Sequence, residues 1–410
     1  MLPVVPSVIG YVFPNELHVT WTVMIVLYPY ITGLVAGAFI VSSLYHIFGR
    51  ESLRPIARFA LVSSLAFLLF APLPLLLHLG RPERAFNILI TPSKTSAMAG
   101  FGIIYLTYLV IVVIEVWLTL REDMVHLAES RTGFARLFYR TLTLFDTTID
   151  EKTKAFDHKV AKFLAALGIP VACFLHGYVG FLFGSIKANP WWSTPLMFVI
   201  FLLSAIVSGI AVLVFLFYFV SWLRKVPIDR ACVGTLASFL WGFMIVDVTL
   251  ELLEVLSIAY QQTREWEPLQ FLILHKLFFT YVVVQLLLCS LVPFLFLAFN
   301  AIAKPREKLS NVLVFSSAVL LLVQVISMRW NVVIGGQLLS KSFRGYTTYV
   351  PGLWNKEGLV VAAVVFIVPF ILLRFVDGVI SLFPADTPLG AWWARRAAGK
   401  TPAVPAPFGT

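Results

Sequence analysis

The sequence predicts an all-α integral membrane protein with about nine to ten transmembrane helices. Of its 410 residues, 60% are hydrophobic and only 13% are charged, and the mean hydropathy is +0.90. Soluble domains carry about 25% charged residues. Apolar runs recur along the chain, and nearly all reach the length of about 20 residues that crosses about 30 Å of hydrocarbon. Lys and Arg are concentrated in alternate loops, as in multi-pass membrane proteins.

Nine apolar runs are long enough to be assigned as membrane spans. They cover residues 19–47, 56–79, 98–120, 160–186, 195–223, 231–259, 271–299, 312–328 and 358–383. A tenth helix would have to lie in the "NVVIGGQLL" region or within the first fourteen residues, where the apolar stretches are shorter. Pro72 and Pro74 are expected to kink the second span near its end.

The distribution of basic residues predicts the orientation of the chain. Twenty of the 31 Lys and Arg residues fall in the loops after the odd-numbered spans or in the tail, and the opposite loops carry about half as many. Because cytoplasmic loops are the basic ones, we expect the N-terminus outside and the C-terminus inside. The net charge of +10 then reflects topology, and the sequence predicts no nucleic-acid partner.

Two regions outside the spans have a recognisable character. The loop at about 121–159 mixes charged and apolar residues at helical spacing, which predicts an amphipathic helix on the membrane surface. Residues 384–410 contain paired tryptophans followed by prolines, which predicts an interfacial anchor with a disordered end. We therefore divide the chain into a transmembrane domain, 1–383, and a cytoplasmic tail, 384–410.

The stretch "IVDVTLELLE" places three carboxylates inside the sixth span. Asp247, Glu251 and Glu254 are spaced four and three residues apart, so they share one face of a helix. We call these three residues the acidic stripe. A charged side chain at the centre of a span costs about 2.5–3.5 kcal/mol on insertion scales, so such residues usually have a partner or a function. The stripe therefore predicts a proton pathway, and Lys276 offers a structural alternative as an ion-pair partner.

Other polar residues cluster toward the predicted outer surface. They are Asn15 and His18 before the first span, His78 at the end of the second, His176 in the fourth, and His275 with Lys276 before the seventh. Glu115 alone lies near the inner end of a span, and we add it to the proton pathway. A histidine at a helix end is more often an interfacial or capping residue than a ligand, and Lys276 could extend its ammonium group to the membrane surface.

The sequence predicts no redox centre within this chain. A b-type haem in a helical bundle needs two axial ligands at matching depth, and His176 is the one histidine well inside a span. Cys173, Cys232 and Cys289 lie far apart with no C-x-x-C motif, so neither an iron–sulfur cluster nor a disulfide framework is expected. No metal site is predicted.

Three sequence elements together resemble the NrfD/PsrC family, the membrane subunits of polysulfide reductase. They are "PNELHVTWTVMIVLYPYITGLVAGAFIVSSL", "LHLGRPERAFNIL" and "MRWNVVIGGQLLSKSFRGYTTYVPGLWNKEGL". The last element resembles the larger branch of the family, found in the menaquinone reductase (Qrc) and Dsr transmembrane complexes. The resemblance covers almost the whole chain.

This resemblance implies two four-helix bundles with flanking helices and a quinone site without a bound redox cofactor. It implies that Asn15 and His18 contact the quinone and that Arg81 lies near the same face, and we assign His78 to this site as well. His176, Lys276, Arg329 and Gln337 are expected to support it. The implied partner is an extracytoplasmic, ferredoxin-like iron–sulfur subunit, accompanied in some complexes by a multihaem cytochrome c and a molybdopterin-fold subunit.

We therefore predict a quinone-binding subunit of a respiratory menaquinone oxidoreductase complex in a bacterial or archaeal cytoplasmic membrane. Electrons from the external partner would reduce menaquinone, with protons supplied through the acidic stripe. The alternative within this class is menaquinol oxidation, as in a Dsr-type complex. An ion-coupled transporter would show inverted repeats and helices broken near the midplane, and a pure membrane anchor would not need the stripe.

Overall fold

The computed structural model describes residues 8–146 and 148–397 of the chain. Within these residues, nine helices are long and apolar enough to cross a membrane. We label their main helices α1 (Val23–His46), α2 (Arg54–Phe70), α3 (Ala97–Ser130), α4 (Glu151–Gly184), α5 (Met197–Arg224), α6 (Arg230–Gln261), α7 (Phe278–Ala303), α8 (Glu307–Trp330) and α9 (Leu359–Val379). The second span as a whole covers Glu51–His78, and the eighth covers Glu307–Leu338. The predicted all-α membrane fold is confirmed.

The helices form two four-helix bundles. Helices α1–α4 pack as one ring and α5–α8 as a second, each helix contacting the next and the last contacting the first. Contacts of α5 with α1 and α4 join the two rings, and α9 packs on α1 and α2. The structure therefore has the arrangement that the family resemblance implied, with α9 as the flanking helix.

Helices α1 and α5 are buried on nearly all sides and meet at two glycines. A Cβ atom added to Gly37 would lie 2.6 Å from the Cα of Gly209, and one added to Gly209 would lie 2.3 Å from the Cα of Gly37. Small residues allow membrane helices to approach closely, and dispersion contacts between the backbones then stabilise the pair. This contact fixes the position of one bundle against the other.

The structure corrects one predicted loop and shows the conformation of one region that the sequence left open. The loop predicted at about 121–159 is shorter, because α3 continues to Ser130 and α4 begins at Glu151; a helix at Gly133–Leu142 lies between them. The "NVVIGGQLL" region does not form a tenth span, since it prolongs α8 as far as Leu338.

The second span is interrupted where the prolines predicted a kink. Helix α2 ends at Phe70, and a short helix at Leu73–His78 continues in its place. Pro72 has no backbone N–H to donate, so the regular ladder of hydrogen bonds cannot pass through it. The kink is therefore explained by the sequence.

The helix ends alternate between two faces of the domain. We call the face that holds the start of α1 the N-terminal face and the opposite one the C-terminal face. On the N-terminal face, strand β1 (Ile9–Tyr11) pairs antiparallel with β2 (Arg344–Tyr346). This small sheet ties the first described residues to the loop between α8 and α9.

Glu16 reinforces the same connection. Its carboxylate accepts hydrogen bonds from the Ser340 hydroxyl at 2.6 Å and the Lys341 backbone N–H at 2.9 Å, and the Lys341 ammonium lies 3.1 Å away. Burial acts to raise the pKa of Glu16, but these hydrogen bonds and the lysine charge leave it below the usual value. The segment before α1 is therefore held in a defined position on the N-terminal face.

On the C-terminal face, two buried ion pairs join helices. Arg224 of α5 pairs with Asp377 of α9, and Arg121 of α3 contacts Asp157 of α4 at 3.0 Å. A helix at Pro388–Ala397 follows α9 on this face, and its Trp393 donates to the backbone carbonyl of Asp377. The division of the chain near residue 384 stays a prediction, and the predicted disordered end at 398–410 lies outside the described residues.

Gly209→Ala should destabilise the protein by about 1–3 kcal/mol, the usual cost of overpacking a filled interior. The added methyl group would meet backbone atoms of α1, which cannot move aside as a side chain can. The measurement is thermal unfolding of the purified chain in detergent.

Gly242→Ala on α6 is the matched control, because a Cβ atom there meets nothing within 4 Å. Alanine also favours a helix over glycine by about 1 kcal/mol. Equal unfolding temperatures for the two variants would contradict the tight contact between α1 and α5.

Candidate functional site

The acidic stripe faces the interior of the α5–α8 bundle. Asp247 and Glu251 are buried on α6, with 1% and 5% of their surface exposed, and Glu254 is half-buried one turn closer to the N-terminal face. Because a helix rises 1.5 Å per residue, the three carboxylates cover about 10 Å of depth. The acidic stripe therefore runs from the middle of the α5–α8 bundle toward the N-terminal face.

Glu251 is the end point of a chain of side-chain hydrogen bonds. Its Oε2 accepts from Nε2 of Gln285 on α7 at 2.9 Å, and Nε2 of Gln324 on α8 lies 3.4 Å from both carboxylate oxygens. Gln285 Oε1 accepts from Asn331 Nδ2 at 2.8 Å, and Asn331 Oδ1 accepts from the Thr280 hydroxyl at 2.7 Å. In this series of hydrogen bonds, every donated N–H or O–H points along the series toward Glu251.

Asp247, in contrast to Glu251, accepts no hydrogen bond from the described part of the chain. Both of its carboxylate oxygens are buried and have no hydrogen-bond partner among residues 8–146 and 148–397. An unsatisfied buried carboxylate is costly when ionised, because nothing replaces the water that would solvate its charge. The two acids, one helical turn apart, therefore differ sharply in how their charge is stabilised.

Arg329 on α8 is the buried positive charge of this region. Its Nη2 donates to the Ser204 hydroxyl at 2.7 Å and to the Phe201 carbonyl at 3.2 Å, and the guanidinium lies 3.8 Å from the centre of the Phe201 ring. Asp247 and Glu251 are the acids within its electrostatic range, although neither forms an ion pair of 4.0 Å or less with it in the described part of the chain. Acceptors on α5 therefore bind the Arg329 guanidinium, and the acids on α6 balance its positive charge.

A recess in the α5–α8 bundle opens beside the stripe. The recess is partly open, and the empty space of about 460 Å³ between its walls includes solvent outside it. Its walls are apolar side chains with a few polar groups, and the lining residues are Trp191, Met197, Ile200, Glu251, Glu254, Val255, Ile258, Tyr281, Gln285, Met328, Asn331 and Val332. We call this space the α5–α8 recess.

Two segments of π-helix position the polar groups of the recess. The first, Phe278–Leu291, carries Tyr281 and Gln285, and the second, Asn331–Gly335, carries Asn331. In a π-helix the backbone bonds run from residue i to i+5, and such segments are rare and frequent at functional sites. The wider turn re-aims these side chains relative to an α-helix, and it places Gln285 opposite Glu251.

Tryptophans from the loop before α5 satisfy the backbone of the second π-helical segment. The indole N–H of Trp191 donates to the Asn331 carbonyl at 3.0 Å, and that of Trp192 donates to the Val332 carbonyl at 2.6 Å. A Cβ atom on Gly336 would lie 2.1 Å from the Trp192 nitrogen, so glycine is needed there for this approach. The recess is therefore supported from the N-terminal face by packed aromatic side chains.

The residues assigned to the quinone site from the sequence lie on the N-terminal face and are not grouped around the recess. Asn15, His18 and Arg81 are exposed. Nδ1 of His78 is 2.9 Å from Oε2 of Glu357, and that oxygen also accepts from the Thr22 hydroxyl at 2.5 Å. Their assignment to quinone binding stays a prediction.

The remaining predicted residues occupy different places. Glu115 is buried in the α1–α4 bundle, apart from the acidic stripe, and His176 is buried on α4 within the field of Arg329. Gln337 joins α8 to the start of α1, since its Oε1 accepts from the Trp21 N–H at 2.9 Å and its Nε2 donates to the Trp21 carbonyl at 3.0 Å. Lys276 is half-buried and has no ion pair among the described residues.

The sequence reasoning missed the neutral partners of the stripe. Gln285, Gln324, Asn331 and Ser204 hold Glu251 and Arg329 in place, and none was singled out. The two glutamines did carry a signal, because each stands alone in an apolar run, in "VVVQLLL" and "LLVQVIS". No group of three or more potential metal ligands occurs among the residues that the structure describes.

Comparison with known proteins gives one family and several relatives. Residues 13–340 match the family described as "Polysulphide reductase, NrfD". The chain is 33% identical to a selenate reductase subunit of Mesobacillus selenatarsenatis over 246 residues, which are 59% of this chain and 57% of that protein.

Two more distant relatives have related descriptions. A putative membrane subunit of dimethyl sulfoxide reductase from Halobacterium salinarum is 27% identical, over 55% of this chain and 49% of that protein. The "Hdr-like menaquinol oxidoreductase integral membrane subunit" of Archaeoglobus fulgidus is 24% identical, over 56% and 49%. The chain thus spans about half the length of the curated relatives that it matches.

Arg329→Met should destabilise the protein by about 3–5 kcal/mol, because removing one partner of a buried set of charges leaves the others uncompensated. Lys276→Met should have little effect, since Lys276 pairs with no acid among the described residues. The measurement is the unfolding temperature and the yield of monodisperse protein for both variants. If Lys276→Met were as damaging as Arg329→Met, the acidic stripe would belong to a structural ion-pair network that includes Lys276.

Proposed function

Because the chain belongs to the polysulphide reductase NrfD family, we propose that it is the quinone-binding membrane subunit of a respiratory electron-transfer complex. The observation that carries this proposal is the α5–α8 recess, an apolar space that ionisable and amide side chains line from α6, α7 and the extension of α8. The names of the relatives support it, since one is described as a menaquinol oxidoreductase subunit and two as reductase subunits.

The recess suits the headgroup of a quinone. Binding sites for small molecules are mostly apolar with a few oriented polar groups. A quinone ring is flat and apolar, with two carbonyl oxygens that accept hydrogen bonds. Trp191, Met197 and Val255 offer apolar surface, while the Tyr281 hydroxyl and the Glu254 carboxyl can donate to a carbonyl oxygen.

The acidic stripe can deliver the protons that this chemistry requires. Reduction of a quinone to a quinol consumes two electrons and two protons. Glu254 lies at the recess, Glu251 lines it more deeply, and Asp247 lies a further turn into the bundle. Carboxyl groups spaced along one helix face can pass protons to one another, directly or through water, and ionisable residues inside membrane bundles commonly serve as relays.

Electrons would reach the quinone from a partner on the N-terminal face. We place this face outside, because the C-terminal face carries most of the Lys and Arg residues. The proposed partner is an extracytoplasmic iron–sulfur subunit, and the proposed substrate is menaquinone in a bacterial or archaeal cytoplasmic membrane. The same pocket would also serve the reverse reaction, menaquinol oxidation.

Val255→Trp tests the location of the quinone site, since the larger side chain would fill the α5–α8 recess. We expect it to weaken binding of a short-chain naphthoquinone by at least about tenfold, or 1.4 kcal/mol, measured by calorimetry on the purified full-length chain. Leu256→Trp is the control, because Leu256 is the next residue of α6 and is 62% exposed on its outer surface.

His18→Ala separates this site from the one that the family resemblance implies. If the ring binds in the recess, His18→Ala should bind the naphthoquinone normally. Loss of binding in His18→Ala together with normal binding in Val255→Trp would move the site to the N-terminal face around Asn15 and His18.

Asp247→Asn should abolish quinone turnover and proton uptake together while the complex assembles normally and still binds quinone. Asparagine keeps nearly the same shape and hydrogen-bonding capacity but cannot release a proton. Glu251→Gln should show a milder loss. The measurements are turnover and proton uptake in reconstituted vesicles. Unchanged proton-coupled turnover, or failure to assemble, would remove Asp247 from the proton route.

A further inference from the structure

Two neighbouring acids that share one buried positive charge cannot both be ionised without leaving the cluster negative. Arg329 contributes one positive charge, and Asp247 and Glu251 could contribute two negative ones. Inside a membrane bundle an uncompensated charge is expensive. A neutral cluster needs one proton on the pair of acids, and the hydrogen bonds decide which acid holds it.

The neighbours of Glu251 donate hydrogen bonds to its carboxylate, and the described neighbours of Asp247 do not. A glutamine side-chain N–H can only donate, so the contacts from Gln285 and Gln324 favour an ionised carboxylate at Glu251. The orientation of the Gln285 amide follows from its neighbours. The Thr280 hydroxyl donates to Asn331 Oδ1, and Asn331 Nδ2 donates to Gln285 Oε1, which leaves Gln285 Nε2 to donate to Glu251. Asp247 receives no donor among the described residues.

We propose that Gln285 and Gln324 are positioning residues that hold Glu251 ionised, so that Asp247 carries the single transferable proton of the Arg329 cluster. The resting cluster is then neutral, with Glu251 as the negative partner of Arg329. This assignment gives the two acids different roles in the proposed proton route. Those roles rest on the proposed function, but the charge states of the two acids do not.

Other polar groups around the cluster are compatible with this assignment. Glu254 is half-buried at the recess, Tyr281 lines the recess from α7, and His176 on α4 lies within the electrostatic range of Arg329. In the rival assignment Glu251 is protonated and Asp247 is the ionised acid. The carbonyl oxygen of Glu251 would still accept from Gln285, but the charge of Asp247 would have no hydrogen-bond donor among the described residues.

Infrared spectroscopy of the purified full-length chain distinguishes the two assignments. A protonated carboxyl group has a C=O stretching band that shifts in D₂O and that an ionised carboxylate lacks. Near neutral pH we expect the difference spectrum of wild type minus Asp247→Asn to contain this band. The difference spectrum of wild type minus Glu251→Gln should lack it. The opposite pattern, or no band in either difference spectrum, would overturn the proposal.

Removal of the amide donor tests the positioning role directly. In Gln285→Leu, Glu251 loses its shortest hydrogen bond, so we expect part of the single proton to move from Asp247 to Glu251. The protonated-carboxyl band should then appear in the difference spectrum of Gln285→Leu minus the double variant Gln285→Leu/Glu251→Gln near neutral pH. Gln270→Leu is the control, because Gln270 is an exposed glutamine on the helix Trp266–Phe271. If Gln285→Leu does not yield folded protein, Gln324→Leu removes the longer 3.4 Å contacts and should give a smaller version of the same change.

An unchanged carboxyl band in a folded Gln285→Leu or Gln324→Leu variant would refute the positioning role. Because the spectra require neither quinone nor a partner subunit, they test the charge states separately from the proposed function. Normal bands with no quinone binding would refute the proposed function alone. Reversed bands with normal binding and turnover would refute this inference alone.

Discussion

The burial of Arg329 is the constraint on which the second bundle depends. A guanidinium with 1% of its surface exposed must find acceptors and compensating charge within the protein. Ser204 and the Phe201 carbonyl supply acceptors from α5, and the acids of α6 supply the charge. Glu251 needs donors in turn, and these come as amides from α7 and α8. Each helix of the α5–α8 bundle therefore contributes one part of a single polar cluster.

The rest of the domain supports that cluster by being rigid and apolar. At the junction of the bundles, Gly37 and Gly209 allow backbone contact between α1 and α5, and small adjustments there would be resisted by close packing. On the N-terminal face, Gln337 fastens the end of α8 to the start of α1, and Trp192 stacks on Trp21 with ring centres 5.1 Å apart. The polar side chains thus lie on elements that are packed firmly in place, as the proposed proton-transfer role would require.

The sequence predicted the fold well because membrane helices obey a strong rule. Every backbone polar group in hydrocarbon must be satisfied within its helix, so apolar length alone locates the spans. The stripe on α6 was also legible, since three acids in an apolar run stand out. The α5–α8 recess was not, because it depends on π-helical turns at Tyr281 and Asn331 and on which glutamine meets which acid across helices. No periodicity within one segment encodes these tertiary contacts, so the neutral partners Gln285 and Gln324 were missed.

The asymmetry between Asp247 and Glu251 follows from electrostatics at short range. Charges interact far more strongly in a low-dielectric interior than in water, so the position of one proton changes the field at Arg329 and at the recess. A proton that passes from Asp247 through Glu251 and on to Glu254 leaves a second negative charge in the cluster until another proton arrives. Burial therefore opposes a net charge on the cluster. Release of a proton toward the recess is favoured when the cluster takes up another proton at the same time. In the proposed function, the buried Arg329, the unsolvated Asp247 and the amide-bound Glu251 would in this way couple proton transfer to quinone chemistry in the recess.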